Sequence, residues 1–329
     1  MGKTLLKMVA ALLLLALLTL MVPSSVPLSA VSLAEELPVY EPVTLAAQEV
    51  TPLDYLAETP YAPHADGFLP ERAGYVDESI SVRVERTRAY NSGITLVWIQ
   101  IADASQLRTG SAAPYPAKAQ TSVDVMARRS LAVLAMNGDN FLYRKKGYIV
   151  RNGELLRDHY DKDPLDMLII DENGDFTILP SADQAAIESF PGKMMQTFSF
   201  GPGLVINGEK TDAKNNSECS PRKRTQRIGI AQMGPLSYLI VATDGPDEPN
   251  ATGLTLAEFA QLMADLHPIN AYNMDGGSSS NVVLNYEKIN ASTKKKFRSL
   301  CDILYFASAV PEEVQPTEEP WTVADEEGD

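Results

Sequence analysis

Cysteine and histidine are scarce in this chain, and their scarcity excludes several kinds of site. The 329 residues include two cysteines, Cys219 and Cys301, and three histidines. Two thiols cannot form a disulfide framework, although they could pair with each other in an oxidising compartment. A catalytic cysteine is disfavoured, because neither thiol lies beside a histidine in a recognisable motif. No two histidines have the spacing of metal ligands, so no zinc centre is predicted.

Basic residues are also few. Lysine and arginine total 28 against 43 aspartates and glutamates, which gives a formal net charge of −15. With no basic stripe along the chain, nucleic acid is excluded as a partner. Residues 311–329 contain eight acidic and no basic residues. They include three prolines and little apolar surface, so we predict a disordered acidic tail.

The amino terminus has the pattern of a targeting segment. Lys3 and Lys7 precede an apolar stretch, residues 8–22, which has the length of a signal-peptide core. Residues 32–34 read S-L-A and offer a cleavage site with small side chains at its first and third positions. We therefore predict that residues 1–34 are a signal peptide or an uncleaved membrane anchor. The protein would then be secreted or anchored on the outer face of the cytoplasmic membrane, with membrane association through this segment.

The rest of the chain reads as one strand-rich domain. Residues 35–75 are rich in proline, alanine, glutamate and tyrosine without periodicity, which predicts a linker or a loosely attached arm. Strand patterns then dominate, and one helix is marked by the capping-box spacing of Thr255 and Glu258. We predict a single α+β domain over residues 76–310, with a few helices and a mixed sheet.

Four polar, glycine-bearing loops follow strand-like runs. They span residues 137–140, 201–203, 244–246 and 273–280. Three of them carry an aspartate: Asp139, Asp244 and Asp275. Each loop alone is typical of an ordinary turn, but together they predict strand ends that converge on one polar site. Three converging carboxylates could ligate calcium or magnesium, although their spacing matches no recognised metal loop, so no metal site is assigned.

The last of these loops is the most informative. Residues 273–280 read N-M-D-G-G-S-S-S between apolar segments. Glycine lets backbone N–H groups approach a ligand closely, so this loop could hold a polar substrate as well as form a hairpin turn. A basic cluster, with Arg224 and Arg227 at its end, is either a solvated charge run or an anion site. Arginine suits the second role because its fork matches phosphate geometry.

These motifs resemble the phosphodiester glycosidase domain family, which includes bacterial exopolysaccharide-associated proteins. The family's N-L-D-G-G-G-S-S is similar to residues 273–280, and its N-G-G-F-F is similar to residues 137–141. Its G-P-x-L-V-x-x-G is similar to residues 201–208. The resemblance runs from about residue 80 to 309. Three residues depart from the pattern: Ser278 replaces a glycine, and Asp139 and Asn140 replace a glycine and a phenylalanine.

The resemblance implies hydrolysis of a sugar-1-phosphodiester at its glycosidic bond, with a phosphosugar or polysaccharide of the cell envelope or exterior as substrate. Asp275 would be the catalytic carboxylate, with Asp139, Asp244 and His159 as further catalytic candidates. The substrate-binding candidates are Asn137, Gly138, Arg224, Arg227, Asn273, Gly276, Gly277, Ser278 and Ser279. The alternative is a non-catalytic wall- or polysaccharide-binding protein that uses the same polar loop.

Overall fold

The computed structural model describes residues 37, 45, 50–55, 60–145, 147–214, 219–290 and 298–311. The predicted targeting segment, most of the arm before residue 50 and the acidic tail beyond residue 311 lie outside these residues, so the expectations about them remain predictions. Within the described part of the chain, no helix is both long and apolar enough to cross a membrane.

An eight-stranded sheet forms the centre of the domain. With strands numbered along the chain, its members are β1 (Gly74–Val76), β2 (Ile80–Ala89), β3 (Ser92–Ile101), β11 (Gly203–Ile206), β12 (Glu209–Lys210), β13 (Ile228–Gly234), β14 (Ser237–Thr243) and β15 (Asn270–Met274). Their order across the sheet is β1-β2-β3-β14-β13-β15-β11-β12. The strand β13 therefore lies between β14 and β15.

Three smaller sheets complete the strand structure. A five-stranded sheet in the order β17-β16-β5-β18-β4 is built from β4 (Leu107–Ser111), β5 (Leu134–Asn137), β16 (Val282–Leu284), β17 (Glu287–Lys288) and β18 (Asp302–Phe306). A three-stranded sheet contains β8 (Met167–Asp171), β9 (Phe176–Leu179) and β10 (Met194–Phe198), and a hairpin pairs β6 (Ile149–Arg151) with β7 (Glu154–Arg157).

The sheets are antiparallel rather than mixed. Every strand pairing among the described residues is antiparallel. The strand-rich α+β description agrees with the fold, but the predicted mixed sheet does not. Parallel pairing needs long crossover connections, usually helical, whereas half of the strand pairings among the described residues join consecutive strands through short turns.

Among the described residues, α-helices are few and short: α1 (Val123–Arg129), α2 (Gln184–Glu188) and α3 (Leu256–Asp265). The α3 helix begins at Thr255, where the predicted capping box forms in both directions with Glu258. The core lies on both faces of the large sheet. Val97 and Ile99 of β3 pack toward the five-stranded sheet, whereas the alternating Leu96 packs toward α3, as the two-residue period of a strand requires.

The described part of the predicted loose arm packs on the domain. The Leu53 N–H donates to the Ser105 hydroxyl at 2.7 Å, and the Tyr55 hydroxyl donates to the Ala104 carbonyl at 3.0 Å. The Tyr55 ring covers the buried guanidinium of Arg108, whose Cζ lies 4.9 Å from the ring centroid. These residues are therefore part of the folded unit.

Two sheets present strand ends to the candidate site. In the large sheet, β14 and β15 end on either side of the start of β13. In the five-stranded sheet, one row runs across neighbouring strands from Asn281 to Asn137, Ile303 and Gly110. The loops that follow β5, β14 and β15 are three of the four polar loops that the sequence singled out.

Candidate active site

Asp275 follows β15 directly and lies at a cavity of about 260 Å³. Its side chain is 19% exposed. The Asn137 side-chain amide donates to the Asp275 carbonyl at 2.9 Å and so ties the end of β5 to this loop. The described residues that line the cavity are Phe200, Cys219, Ser220, Lys223, Thr225, Arg227, Met274, Asp275, Gly276, Gly277, Ser278 and Arg298. Asp275 is the only acidic residue among them.

Two glycines let the Asp275 loop lie directly on the start of β13. A Cβ at Gly276 would come within 2.6 Å of the Gln226 carbonyl oxygen. Gly277 has a φ of +59°, and its N–H donates to that same carbonyl at 2.9 Å. The Gly277 N–H is therefore occupied, which corrects the prediction that it holds a substrate oxygen. Its role is to pin the loop.

The electrostatic surroundings of Asp275 are mixed. Burial raises the pKa of its carboxyl, while a hydrogen bond from the Ser279 hydroxyl and the nearby Arg298 guanidinium oppose that rise. Arg298 Nη1 lies 3.7 Å from Asp275 Oδ2 and donates to Ser279 Oγ at 2.7 Å. Ser279 thus orients both the carboxylate and the arginine, and it does so without lining the cavity.

Neither predicted phosphate-binding arginine presents a free fork to the cavity. Arg227 lines it but is buried, and its N–H groups donate to the carbonyls of Leu254, Cys219, Ser220 and Lys223 at 2.6–3.1 Å. Arg224 lies outside the lining, donates to the Gly253 carbonyl at 2.8 Å and forms an ion pair with Glu258. Arg227 therefore shapes the loop that carries Lys223, and Arg224 is attached to the start of α3.

The remaining predicted binding residues divide into two groups. Ser278 is exposed and lines the cavity. Asn273 is buried, and its amide donates to the Gly201 carbonyl at 2.8 Å, which joins β15 to the 201–203 loop. Gly138 is packed so closely that a Cβ there would lie 2.2 Å from the Asp302 carboxylate. Asn273, Gly138 and Asn137 thus hold the loops together, whereas Ser278 faces the cavity.

Asp139 belongs to a buried ionic cluster. Arg151 Nη2 lies 2.7 Å from Asp139 Oδ1 and 3.1 Å from Asp302 Oδ2, and all three side chains are at most 7% exposed. Asp139 also accepts from the Ser199 N–H at 2.9 Å. One guanidinium serves two carboxylates, and burial together with the Asp139 charge raises the pKa of Asp302. Asp139 does not line the Asp275 cavity, although its charge contributes to raising the pKa of Asp275.

Asp244 and His159 lie away from the cavity lining. The Asp244 carboxyl packs against Gly93 at the end of β14, two strands away from Asp275, or about 10 Å at usual strand spacing. Burial raises the pKa of Asp244. His159 lines a separate cavity of about 30 Å³, together with Asp139 and Arg144. The three predicted aspartates do not come together as metal ligands. The described parts of the chain contain no group of three or more His, Cys, Asp or Glu side chains that could hold a metal ion.

Two cations in the cavity were not among the predicted site residues. Lys223 belongs to the basic cluster noted in the sequence, and Arg298 ends the run K-K-K-F-R at residues 294–298. That second basic run follows the polar loop by fewer than 20 residues, so a search for anion-binding residues could have included it. Cys219 and Cys301 are both buried, and neither forms a disulfide.

The chain belongs to the phosphodiester glycosidase family, whose match covers residues 130–307. It is therefore a hydrolase of the class that acts on glycosyl phosphodiesters. No curated protein matches its sequence.

Two solved structures are similar at low identity, and the first of them shows the fold. The catalytic domain of zebrafish N-acetylglucosamine-1-phosphodiester alpha-N-acetylglucosaminidase, auto-inhibited by pro-peptide, is similar with a TM-score of 0.56 and 16% identity. That match covers 76% of this chain and 87% of the zebrafish chain. A hypothetical protein from Synechocystis is similar with a TM-score of 0.46 and 15% identity, over 69% of this chain and 62% of that one.

Proposed function

We propose that the Asp275 cavity hydrolyses the glycosidic bond of a sugar-1-phosphodiester and releases a sugar and a phosphomonoester. The observation that carries this proposal is that one carboxyl, Asp275, lines a cavity of about 260 Å³ together with the exposed cations Lys223 and Arg298 and the buried Arg227. Asp275 would face the anomeric carbon, and Arg298 and Lys223 would hold the phosphate. This places opposite charges where an oxocarbenium-like centre and a departing phosphate need them.

A single carboxylate suits this reaction. Ordinary glycosidases use two carboxyl groups, one of which protonates the leaving oxygen. A departing phosphomonoester is a much weaker base than an alkoxide, since its second pKa is about 6. The reaction therefore needs little acid assistance. Asp275 is the only acidic residue among the described residues that line the cavity, and it can act as nucleophile, base or electrostatic stabiliser.

We further propose that the protein is exported and acts on a cell-envelope or extracellular polysaccharide. The support is the sequence pattern of residues 1–34, where lysines precede a 15-residue apolar stretch. The name of the zebrafish relative specifies N-acetylglucosamine, so diesters of N-acetylglucosamine-1-phosphate are the first substrates to test. Fractionation of producing cells, with the mass of the mature amino terminus, tests export. A full-length protein confined to the cytoplasm would contradict it.

The reaction test is hydrolysis of methyl N-acetylglucosaminyl phosphate in ¹⁸O-labelled water, with and without chelator. Cleavage of the glycosidic bond leaves the released methyl phosphate unlabelled, whereas cleavage of a phosphorus–oxygen bond places ¹⁸O in the phosphate. Asp275→Ala should abolish turnover and remain folded, with Asp244→Ala, an aspartate after a strand end but outside the cavity lining, as the matched control. Labelled phosphate, or unchanged turnover by Asp275→Ala, would overturn the proposal. Binding of wall glycans without any turnover would support the non-catalytic alternative.

A further inference from the structure

We propose that a second cavity, of about 230 Å³, binds an uncharged sugar of the glycan that carries the phosphodiester. The proposal rests on the proposed function for its substrate class. The cavity lies at the end of β4 and the turn of the β6–β7 hairpin. Its described lining consists of Tyr55, Thr109, Gly110, Ser111, Pro114, Tyr115, Phe141, Arg151, Asn152, Glu154, Leu156 and Asp302. We call it the tyrosine cavity. It shares no lining residue with the Asp275 cavity.

Two tyrosines from distant segments give the tyrosine cavity its aromatic surface. Tyr55 comes from the docked amino-terminal segment, where Arg108 and the Ala104 carbonyl fix its position. Tyr115 is 37% exposed and lies after β4, with its ring centroid 6.3 Å from that of Phe141. Aromatic rings provide apolar faces with little conformational freedom to lose, and a sugar ring presents a C–H face that packs on such surfaces.

Polar groups around these rings suit hydroxyl ligands. Glu154 is exposed at the wall, and the Ser111 hydroxyl, which donates to the Ala113 carbonyl at 3.0 Å, can still accept a hydrogen bond. Thr109 and Asn152 are bonded to each other and to Gln196, so they fix the wall. A few polar groups among apolar ones orient a ligand in a binding cavity. Arg151 contributes to the floor, and its buried Nε has no hydrogen-bond partner in the described part of the chain. Because that nitrogen is enclosed by protein, the floor fixes the shape of the cavity and adds no donor for a ligand.

The charges of the tyrosine cavity favour a neutral sugar over a phosphate. Its one lining cation, Arg151, already holds Asp139 and Asp302, and Glu154 adds a further carboxylate. An anion entering this cavity would meet two carboxylates and a neutralised arginine. The Asp275 cavity has the opposite balance, since Lys223, Arg227 and Arg298 line it with one carboxylate. The Asp275 cavity therefore suits the phosphate of the substrate, and the tyrosine cavity suits an uncharged part of the same molecule.

The two cavities lie at the same end of the five-stranded sheet, where its strands begin or end. The row Asn281, Asn137, Ile303 and Gly110 crosses four neighbouring strands, from the end of the Asp275 loop to the β4 residue that lines the tyrosine cavity. Three strand spacings amount to roughly 14 Å. A glycan of a few residues spans such a length, so a substrate held by its phosphodiester at Asp275 can reach the tyrosine cavity.

The test measures binding apart from turnover. Chitotriose, maltotriose and mannotriose are titrated by calorimetry into the wild-type protein, Tyr115→Ala, Glu154→Gln and Tyr61→Ala. Tyr61 is a matched control, because it is an exposed tyrosine that does not line the cavity. We expect at least one trisaccharide to bind the wild type and Tyr61→Ala equally. Tyr115→Ala and Glu154→Gln should weaken that binding by about tenfold.

Kinetics separate this inference from the proposed function. Tyr115→Ala should hydrolyse the methyl diester as the wild type does, and should show a KM raised about tenfold for the same diester carried on the trisaccharide that binds. If the wild type binds a trisaccharide but hydrolyses no diester, and Tyr115→Ala loses the binding, the proposed function is wrong and the sugar site is supported. No trisaccharide binding by the wild type, or equal binding by Tyr115→Ala, would overturn the sugar site.

Discussion

Two regions of this protein place aspartate beside arginine, and they differ in what surrounds the pair. At the cavity, Arg298 is 44% exposed and lies 3.7 Å from Asp275. In the buried cluster, Arg151 is 7% exposed and lies within 3.1 Å of both Asp139 and Asp302. The first pair is loose and faces open volume. The second is closed and surrounded by protein.

The difference separates residues available for chemistry from residues that hold the fold. A loosely held carboxylate at a cavity can approach a substrate, and its arginine can turn from the carboxylate to a phosphate. A buried carboxylate whose partners are fixed has no such freedom, and losing one partner leaves an uncompensated charge. The same residue types in one sequence therefore have different roles, and five substitutions in these two regions test that division.

Replacing each aspartate by asparagine should give the largest difference in turnover between the two regions. We expect Asp275→Asn to lower kcat for a sugar-1-phosphodiester by about a thousandfold, since it removes the carboxylate that faces the reacting carbon. Asp139→Asn should retain turnover within about tenfold, because Asp139 lies outside the cavity lining. Steady-state kinetics and thermal melts of both variants measure this. A larger loss in Asp139→Asn than in Asp275→Asn would reverse the comparison.

Removal of the buried guanidinium should act on stability. We expect Arg151→Met to lower the free energy of unfolding by about 3–5 kcal/mol, because it leaves two buried carboxylates without a cation. The matched control is Arg224→Met, which breaks an ion pair whose arginine is 44% exposed and should cost about 0–1 kcal/mol. Denaturant titration of both variants gives the two values. Equal decreases in the free energy of unfolding for the two variants would show that burial of the cluster does not increase the cost of losing its cation.

Removal of the cavity arginine should act on the substrate. We expect Arg298→Gln to lower kcat/KM by about 10–100-fold while stability changes little, since the pair is loose and partly exposed. The pKa of Asp275 is already raised by burial, and Arg298 opposes that rise. Without this cation the carboxylate protonates more readily, so the acidic limb of the pH–rate profile should move to higher pH. A lower kcat/KM with an unmoved limb would place Arg298 away from Asp275.

Local features of the fold followed from the sequence. The capping box at Thr255 and the polar loops after strands depend on neighbouring residues, so spacing alone reveals them. The antiparallel pairing of the sheets depends on contacts between distant segments, and the mixed sheet was predicted without them.

The site was predicted in part for the same reason. Asp275 and Ser278 lie at the cavity, but Arg298 reaches it from beyond the next hairpin. The burial of Asp139 depends on Arg151 and Asp302, which come from two other strands. Arg227 has the residue type of a phosphate binder, and only the fold shows that backbone carbonyls occupy its fork. Residue type could be read from the sequence, whereas free hydrogen-bonding capacity could not.

The pH dependence of stability gives the smallest and most specific test. Burial, with the nearby Asp139 charge, raises the pKa of Asp302 to about 7, whereas an unfolded aspartate titrates near 3.9. The folded state therefore holds a proton that the unfolded state has lost, and the stabilisation due to this proton is lost as the pH rises from about 4 to about 7.

Asp302→Asn has no carboxyl that titrates at this position. Its free energy of unfolding should therefore fall less steeply between about pH 4 and pH 7 than that of the wild type, and the two slopes should differ by at most about 1.4 kcal/mol per pH unit. Denaturant titrations of both proteins at several pH values measure the difference. Asp275→Asn serves as the control, because its raised pKa belongs to a carboxyl that is 19% exposed and should account for a smaller part of the slope. Parallel profiles for the wild type and Asp302→Asn would mean that the cluster holds both carboxylates ionised. The carboxylates of the buried cluster would then differ from Asp275 in their exposure to solvent and not in their ionisation state.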